Sequence, residues 1–287
     1  MKPFLGIDLT TDKKNEKSNG EEFLVAVPSS AITQSFERFS DKAEEAIDKS
    51  KLPLPLRIGQ FVFGIAGAII ALGIFKAVTK NEDISIALAY RNAPWMFWIG
   101  GICIVAWGIL KFLSVRKAKN TFESEETQQT ISSLGSVGNE IFSELAVPSD
   151  AKDIDILSFF YKIKNNEIKA CEKGMQITPY FNPVFKIFAD SENLYIANYE
   201  GKYAFPLSAL TAIRTVKKHV SVPEWNKDED YNKGIYKQFK LKQDDYDCIH
   251  CKNYHILEIN YKNEVWGLYF PNYELPIFEE LTGLKTE

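Results

Sequence analysis

The run IGQFVFGIAGAIIALGIF, residues 58–75, carries no charge and is long enough to decide the architecture of the chain. With Leu56, Ala77 and Val78 it reaches the about 20 residues that a helix needs to cross a hydrocarbon core of about 30 Å. A second run, WMFWIGGICIVAWGIL at residues 95–110, continues to Val115 through Lys111, whose stem can reach toward the headgroups. Core helices of a soluble protein are the alternative, but they rarely lack a polar stripe over four turns.

We therefore predict transmembrane helices at residues 56–78 and 94–115, joined by a short extracytoplasmic loop at residues 79–93. Basic residues near the spans predict the orientation, because cytoplasmic flanks carry an excess of Lys and Arg. The terminal sides hold seven of them: Lys49, Lys51, Arg57, Lys111, Arg116, Lys117 and Lys119. The connecting stretch from Lys76 to Pro94 holds three: Lys76, Lys80 and Arg91. This contrast predicts a multi-pass protein of the cell membrane with both termini cytoplasmic.

The spans themselves are typical of an anchor. Their central stretches contain no Asp, Glu, Arg or His, the residues expected along a transport or proton path. Gly64 and Ala68, like Gly67 and Ala71, are small residues four apart, a spacing that lets two helices approach closely. Contact with the second span of the same chain is favoured over a dimer interface, and the oligomeric state stays open.

The charge distribution argues against nucleic acid as a partner. The formal net charge of the 287 residues is −4, but residues 120–287 hold 18 Lys and Arg against 26 Asp and Glu, a net charge of −8. Nucleic-acid binding draws most of its affinity from neutralising phosphates with Lys and Arg. The acidic region at residues 120–287 lacks the excess of Lys and Arg that such binding needs.

Residues 1–54 predict an N-terminal cytoplasmic segment. FLGIDLTT at residues 4–11 and EEFLVAV at residues 21–27 alternate as strands do, which favours a small β-hairpin. Phe36, Phe39, Ala43 and Ile47 then recur at helical spacing and predict an amphipathic helix. Its apolar face could lie on the membrane or pack on the C-terminal domain, and the second is favoured because its polar face is not strongly basic.

The remainder predicts an α+β membrane protein with a β-rich C-terminal domain. Residues 116–149 are typical of a helical connector, interrupted near Gly135 and Gly138. Short strand-like runs separated by turn residues fill most of residues 150–287 and predict an antiparallel sheet. After Pro271, one helical face is predicted to carry Tyr273, Ile277, Leu281 and Leu284.

The passage NLYIANYEGKYAFPLSALTAIRTV, residues 193–216, together with successive strands and one closing helix, resembles the bacterial pleckstrin-homology-like domains appended to membrane anchors. The resemblance covers residues 150–285. It implies a partly open, PH-like β-barrel capped by a C-terminal helix. Such domains generally bind lipids, peptides or proteins rather than catalyse reactions, although a fold alone does not determine function.

Two clusters are candidate ligand sites. Cys248, Cys251 and His255 have the residue types and spacing of zinc ligands, with His250, His219 or Cys171 as the fourth, although a lone CxxC is commonly part of a turn. A speculative anion face would use Arg214, Lys217, Lys218 and His219 on one strand with Lys237, Lys240 and Lys242 on its predicted neighbour. The alternative is a solvated strand face on which lysines discourage edge pairing.

No nucleophile elbow, phosphate loop or HExxH motif is present, so an enzyme is not expected. The leading hypothesis is a membrane-anchored cytoplasmic module that binds a protein segment or a lipid headgroup without a cofactor. The rival is a zinc- or thiol-dependent sensor that uses Cys248, Cys251 and His255.

Overall fold

The protein, seen in a computed structural model, divides into two compact units. The β unit comprises Met1–Thr33 and Gly138–Glu287, and the helical unit comprises Gln34–Val137. The structure describes residues 2–3, 20–80, 86–157, 160–164, 167–171, 184–222, 225, 227, 229–244 and 248–286. The strand predicted at residues 4–11 lies outside these ranges.

Helices occupy most of the described chain between residues 30 and 144. They are α1 (Ser30–Ser50), α2 (Leu54–Lys80), α3 (Ile86–Asn92), α4 (Pro94–Phe122) and α5 (Glu125–Glu144). Two apolar segments, Leu54–Thr79 and Pro94–Phe122, are long enough to cross a membrane, and only 6% and 11% of their most apolar windows are buried. A core helix of a soluble protein would be mostly buried, so α2 and α4 fit the two predicted spans.

Glycines let α2 and α4 pack closely. A Cβ atom added at Gly64 would lie 2.9 Å from Cδ1 of Trp107, and one added at Gly67 would lie 3.1 Å from Cγ1 of Ile104. On α4, a Cβ atom at Gly100 would lie 2.8 Å from Cγ2 of Ile70. Gly64 and Gly67 of the first span therefore face the second span of the same chain, as predicted, whereas Ala68 and Ala71 are exposed.

The β unit contains fourteen described strands and one further helix, α6 (Leu275–Thr282). The strands before β9 are β1 (Lys2–Pro3), β2 (Leu24–Ala26), β3 (Lys152–Ile154), β4 (Phe160–Lys164), β5 (Glu167–Cys171), β6 (Phe185–Ala189), β7 (Asn193–Asn198) and β8 (Gly201–Pro206). The later strands are β9 (Leu210–Val216), β10 (Val220–Val222), β11 (Lys242–Gln243), β12 (Ile249–Cys251), β13 (Tyr254–Tyr261) and β14 (Glu264–Pro271).

These strands form four sheets, and all the described pairings are antiparallel except the parallel pairing of β1 with β14. The strand orders are β2-β8-β7-β6-β3, β1-β14-β13-β9, β10-β12-β11 and β4-β5. Lys262 and Asn263, with φ of 48° and 65°, make the two-residue turn between β13 and β14, whose twist suits a hairpin. The described strands do not close into a barrel, so the coarse α+β class is confirmed and the predicted PH-like barrel is not shown.

The N-terminal segment belongs to the same sheets as the C-terminal strands. β1 pairs with β14, and β2 pairs with β8. Phe23, just before β2, is almost fully buried, with its ring centroid 4.9 Å from that of Phe205 and 5.0 Å from that of Tyr261. The strand predicted at residues 21–27 therefore forms, but its described partner is β8.

Two apolar cores stabilise the β unit. The first includes Ile196, Phe205 and Leu257, and α6 covers it by stacking Phe278 on Phe270 with ring centroids 3.8 Å apart. The second includes Val222, Ile249 and Tyr273. Tyr273 lies in a 3-10 turn before α6 and packs into this second core, so its predicted place on the helical face with Ile277 is wrong.

Candidate functional site

A polar cavity of about 660 Å³ lies within the helical unit, at the end of α4 that follows the apolar run. We call it the juxtamembrane pocket. The helix α1 lines it with Phe39, Lys42, Glu45, Ala46 and Lys49, and α4 lines it with Leu113, Arg116, Lys117, Asn120 and Thr121. The following turn and α5 contribute Ser124, Glu126, Thr127, Gln129, Thr130 and Ser133.

Helical spacing brings these side chains to one place. The lining positions of α1 and α4 recur every three or four residues, which sets them on one face of each helix. A short turn at residues 123–124 then connects α4 to α5. Ser124 caps the start of α5, because its hydroxyl oxygen accepts the Thr127 N–H at 3.4 Å. The same hydroxyl donates to the Thr121 carbonyl of α4 at 2.7 Å.

The four cations of the pocket differ in their partners. Lys49 pairs with Glu45 at 2.9 Å, and this hydrogen bond, followed by the charge of Glu45, raises the pKa of Lys49. Lys117 donates from Nζ to the Lys51 carbonyl at 2.6 Å. Arg116 and Lys42 are exposed, and neither forms an ion pair with any carboxylate in the described part of the chain. Those two cations are therefore available to an anionic ligand.

An apolar groove adjoins the pocket. It encloses about 650 Å³ and is lined mainly by α2, with apolar side chains such as Ile58 and Phe61, and by Trp107 of α4. Its polar lining residues are Lys51, Arg57, Gln60 and Ser114. The bond from Lys117, which lines the pocket, to the carbonyl of Lys51, which lines the groove, shows that the two cavities are neighbours.

The predicted zinc ligands do not converge. Cys251 packs into the second core beside Tyr254 and Ile256, whereas His255 alternates to the other face of β13, with its ring 5.7 Å from that of Phe270. Burial raises the pKa of the Cys251 thiol to about 12 and lowers the pKa of His255 to about 4. Cys248 is half-exposed, and among the described residues no three metal-ligating side chains form a group.

His250, a candidate fourth ligand, has both ring nitrogens engaged. Its Nε2 lies 2.8 Å from Oδ2 of Asp244, and its Nδ1 lies 2.8 Å from the hydroxyl of Ser221 on the neighbouring strand β10. Because an ionised carboxylate only accepts, Nε2 carries a proton, and in the neutral ring Nδ1 accepts the Ser221 hydroxyl. Oδ1 of Asp244 also accepts the Cys248 N–H at 3.0 Å.

The residues of the speculative anion face are separated. Arg214 lies on β9, which pairs with β13, and its guanidinium binds Oε1 of Glu258 at 2.6 Å. Lys242 lies on β11, across β12 from β10, so the two predicted strands are not neighbours. Lys217 and Lys218 follow β9, and Lys240 ends a 3-10 helix, Gly234–Phe239, where the sequence predicts a strand.

A buried ionic network has no counterpart in the sequence-based prediction. Nζ of Lys227 lies 2.6 Å from Oε1 of Glu274, and these side chains are only 7% and 0% exposed. The same Oε1 accepts the Asp155 N–H at 2.8 Å, while the Tyr273 hydroxyl donates to Oδ2 of Asp155 at 2.6 Å. Burial raises the pKa of Glu274 to about 7, although the nearby Lys227 lowers it. Sequence spacing gives no signal for this cluster, because Asp155 and Glu274 are 119 residues apart along the chain.

Comparison of the chain with protein-family models, with curated proteins and with solved structures finds no match. The class of protein therefore rests on the two apolar helices, the antiparallel sheets and the pocket geometry.

Proposed function

We propose that this chain is a membrane-anchored cytoplasmic interaction module, which holds a β-rich binding domain at the membrane surface and recognises a ligand there without catalysis. The observation that carries the proposal is the polar, basic pocket directly beyond the apolar part of α4. The helical hairpin would supply the anchor, and the exposed cations Arg116 and Lys42 would supply the recognition.

Strand pairing supports a hairpin with both flanks on one side of the membrane. β2 precedes α2 and β8 follows α4, yet the two strands pair in one sheet. A chain that makes this pairing has to cross the membrane an even number of times between the two strands. The excess of basic residues at the outer flanks of α2 and α4 favours the cytoplasmic side for the β unit.

We extend the proposal to the architecture of the β unit, which we regard as pleckstrin-homology-like. Its five-stranded sheet and its mainly antiparallel four-stranded sheet share a core with a C-terminal helix that packs on it. These features support a binding domain more than a catalytic one, since such sheets offer edges and faces for partners.

Site-directed cysteine labelling tests the orientation. In a cysteine-free full-length chain, Asn92→Cys near the loop and Ser136→Cys on the exposed side of α5 would be treated with a membrane-impermeant maleimide in intact cells. We expect labelling of Asn92→Cys only, and labelling of both after permeabilisation. Labelling of Ser136→Cys in intact cells would refute the cytoplasmic placement.

Metal analysis of the full-length chain with its natural cysteines tests the rival sensor hypothesis. Cys251 on β12 packs into the second core, whereas His255 on β13 lies against Phe270 of the first core, and this separation disfavours a shared zinc ion. We expect the purified full-length chain to carry zinc well below one equivalent. A stoichiometric zinc that is lost in Cys251→Ser would favour the sensor.

A further inference from the structure

We infer that the juxtamembrane pocket binds the headgroup of a singly charged, hydroxyl-bearing phospholipid, of which phosphatidylglycerol is the simplest example. This inference rests on the proposed function, because it needs α2 and α4 to lie in a bilayer. It adds a ligand class and names the residues that recognise it.

The depth of the pocket matches the headgroup layer. Arg116 follows Leu113, a lining residue at the end of the apolar part of α4, by three residues, a rise of about 5 Å along a helix. Headgroup layers extend roughly 5–8 Å beyond the hydrocarbon on each side. A lipid phosphate therefore reaches the level of Arg116 without leaving the bilayer.

The charge of the pocket suits one phosphate. Arg116 can donate two parallel N–H groups to phosphate oxygens, and Lys42 can add a point charge. Lys49 and Lys117 are also present, but Glu45 and Glu126 share the lining, so the six charged side chains sum to +2. The two carboxylates disfavour a headgroup with several phosphates.

The remaining lining groups suit hydroxyls. The hydroxyls of Thr121 and Thr130 donate to the carbonyls of Lys117 and Glu126, at 3.0 Å and 2.9 Å, so their oxygens remain able to accept. Asn120 and Gln129 add amides, which both donate and accept. A glycerol headgroup offers hydroxyls to such partners, whereas the methyl groups of choline offer none.

The neighbouring groove suits an acyl chain. It lies between the apolar parts of α2 and α4 and adjoins the pocket through the bond between Lys117 and Lys51. The polar cavity and the apolar groove thus match the two halves of one phospholipid molecule. This match distinguishes the site from a general attraction of basic residues to an anionic surface, which is about 1 kcal/mol for each Lys or Arg near the membrane.

The test is native mass spectrometry of the delipidated full-length chain in detergent, titrated with phosphatidylglycerol, phosphatidylethanolamine or phosphatidylcholine of identical acyl chains. We expect one molecule of phosphatidylglycerol to be retained at least tenfold more tightly than the other two lipids. Arg116→Gln and Lys42→Gln should each weaken that binding about tenfold, and Arg116→Lys should weaken it less. Lys119→Gln, on α4 but outside the pocket lining, should change it less than twofold.

Equal retention of the three lipids would overturn the inference, and so would a loss with Lys119→Gln as large as that with Arg116→Gln. Hydrogen exchange of each variant verifies that α4 and α5 remain folded. The labelling experiment separates the two proposals: if Asn92→Cys and Ser136→Cys label as expected but no lipid is preferred, only the headgroup inference fails. If the labelling pattern fails, the anchor proposal fails as well.

Discussion

Replacing Lys227 with methionine should destabilise the β unit more than the loss of an ordinary lysine. Lys227 supplies the cation next to the two buried carboxylates, Asp155 and Glu274, and it also donates to the carbonyl of Asp153 at 2.6 Å. Methionine retains much of the apolar stem but brings no charge. The variant therefore leaves Glu274, which is fully buried, beside a second carboxylate without its ion-pair partner.

The expected cost follows from this burial. Removing one member of a buried ion pair costs about 3–5 kcal/mol, because an uncompensated charge remains in the interior. Part of this cost is avoidable, since Glu274 can take up a proton. Its pKa is already raised to about 7 by burial, and the loss of Lys227 removes the charge that lowers it. We therefore expect a loss of about 3 kcal/mol in unfolding free energy at pH 8 and a smaller loss at pH 5.

The direction of the pH dependence follows from the raised pKa. A carboxyl group with a higher pKa in the folded state than in the unfolded state binds a proton more tightly when folded. Its stabilising contribution is complete below the unfolded pKa, near 4.5, and is lost as the pH rises through about 7. This change corresponds to roughly 3 kcal/mol, because one pKa unit equals about 1.4 kcal/mol. Glu274→Gln should remove this pH dependence.

Hydrogen exchange of the full-length chain measures the unfolding free energy of the β unit without isolating that unit. The peptides to follow are those of β14 and α6. At pH 8 a loss of about 3 kcal/mol lowers protection about a hundredfold. The control is Lys233→Met, because Lys233 is 79% exposed and its pair with Asp230 at 3.4 Å should contribute less than about 1 kcal/mol. Equal protection in Lys227→Met and Lys233→Met at pH 8 would refute the reasoning.

Three further outcomes are expected. Gly64→Leu should destabilise the packing of α2 on α4 by about 1–3 kcal/mol because its side chain meets Trp107, while Gly73→Leu, with open space around it, should be nearly neutral in a thermal melt in detergent. Iodoacetamide should modify Cys248 in the folded chain and leave Cys251 unmodified, and fast alkylation of Cys251 in peptide mapping would contradict its burial. Phe23→Ala should destabilise the β unit by about 3–5 kcal/mol and Val25→Ala, at a side chain 56% exposed, by less than 1 kcal/mol, as measured by hydrogen exchange in β8.

The sequence correctly predicted the features that depend only on residues close together along the chain. The apolar runs and the face of α2 that carries Gly64 and Gly67 each rest on composition or spacing within a few residues. The strand predicted at IYKQFKLK, residues 235–242, failed because alternation in IYKQF also fits a 3-10 helix, Gly234–Phe239, which Gly234 enters with φ of 54°. The zinc hypothesis used spacing along the chain, but alternation in β13 sends His255 away from Cys251.

The juxtamembrane pocket and the ionic network needed information that sequence spacing does not contain. The amphipathic pattern of α1 predicts that its apolar face packs against another surface. The sequence does not predict which residues of α4 and α5 line the same pocket as Lys42, because this depends on tertiary packing. Glu274 follows an apolar strand and reads as a surface residue, yet the chain brings Lys227 and Asp155 to it from distant positions. Long-range pairing of this kind depends on the whole topology.

The pairing of β2 with β8 has a consequence for how the protein can assemble. The first core is complete only when the N-terminal segment with Phe23 and β2 packs on it. Along the chain, the whole helical hairpin separates β2 from its partner strand β8. Loop-closure entropy grows only slowly with length, so the long separation itself adds little cost. A membrane crossing adds a stricter condition, because strands on opposite sides of a bilayer cannot pair. If α2 and α4 form the proposed anchor, correct insertion of both helices is required for completing the core of the β unit, and an error in hairpin topology should appear as a fold defect in that unit.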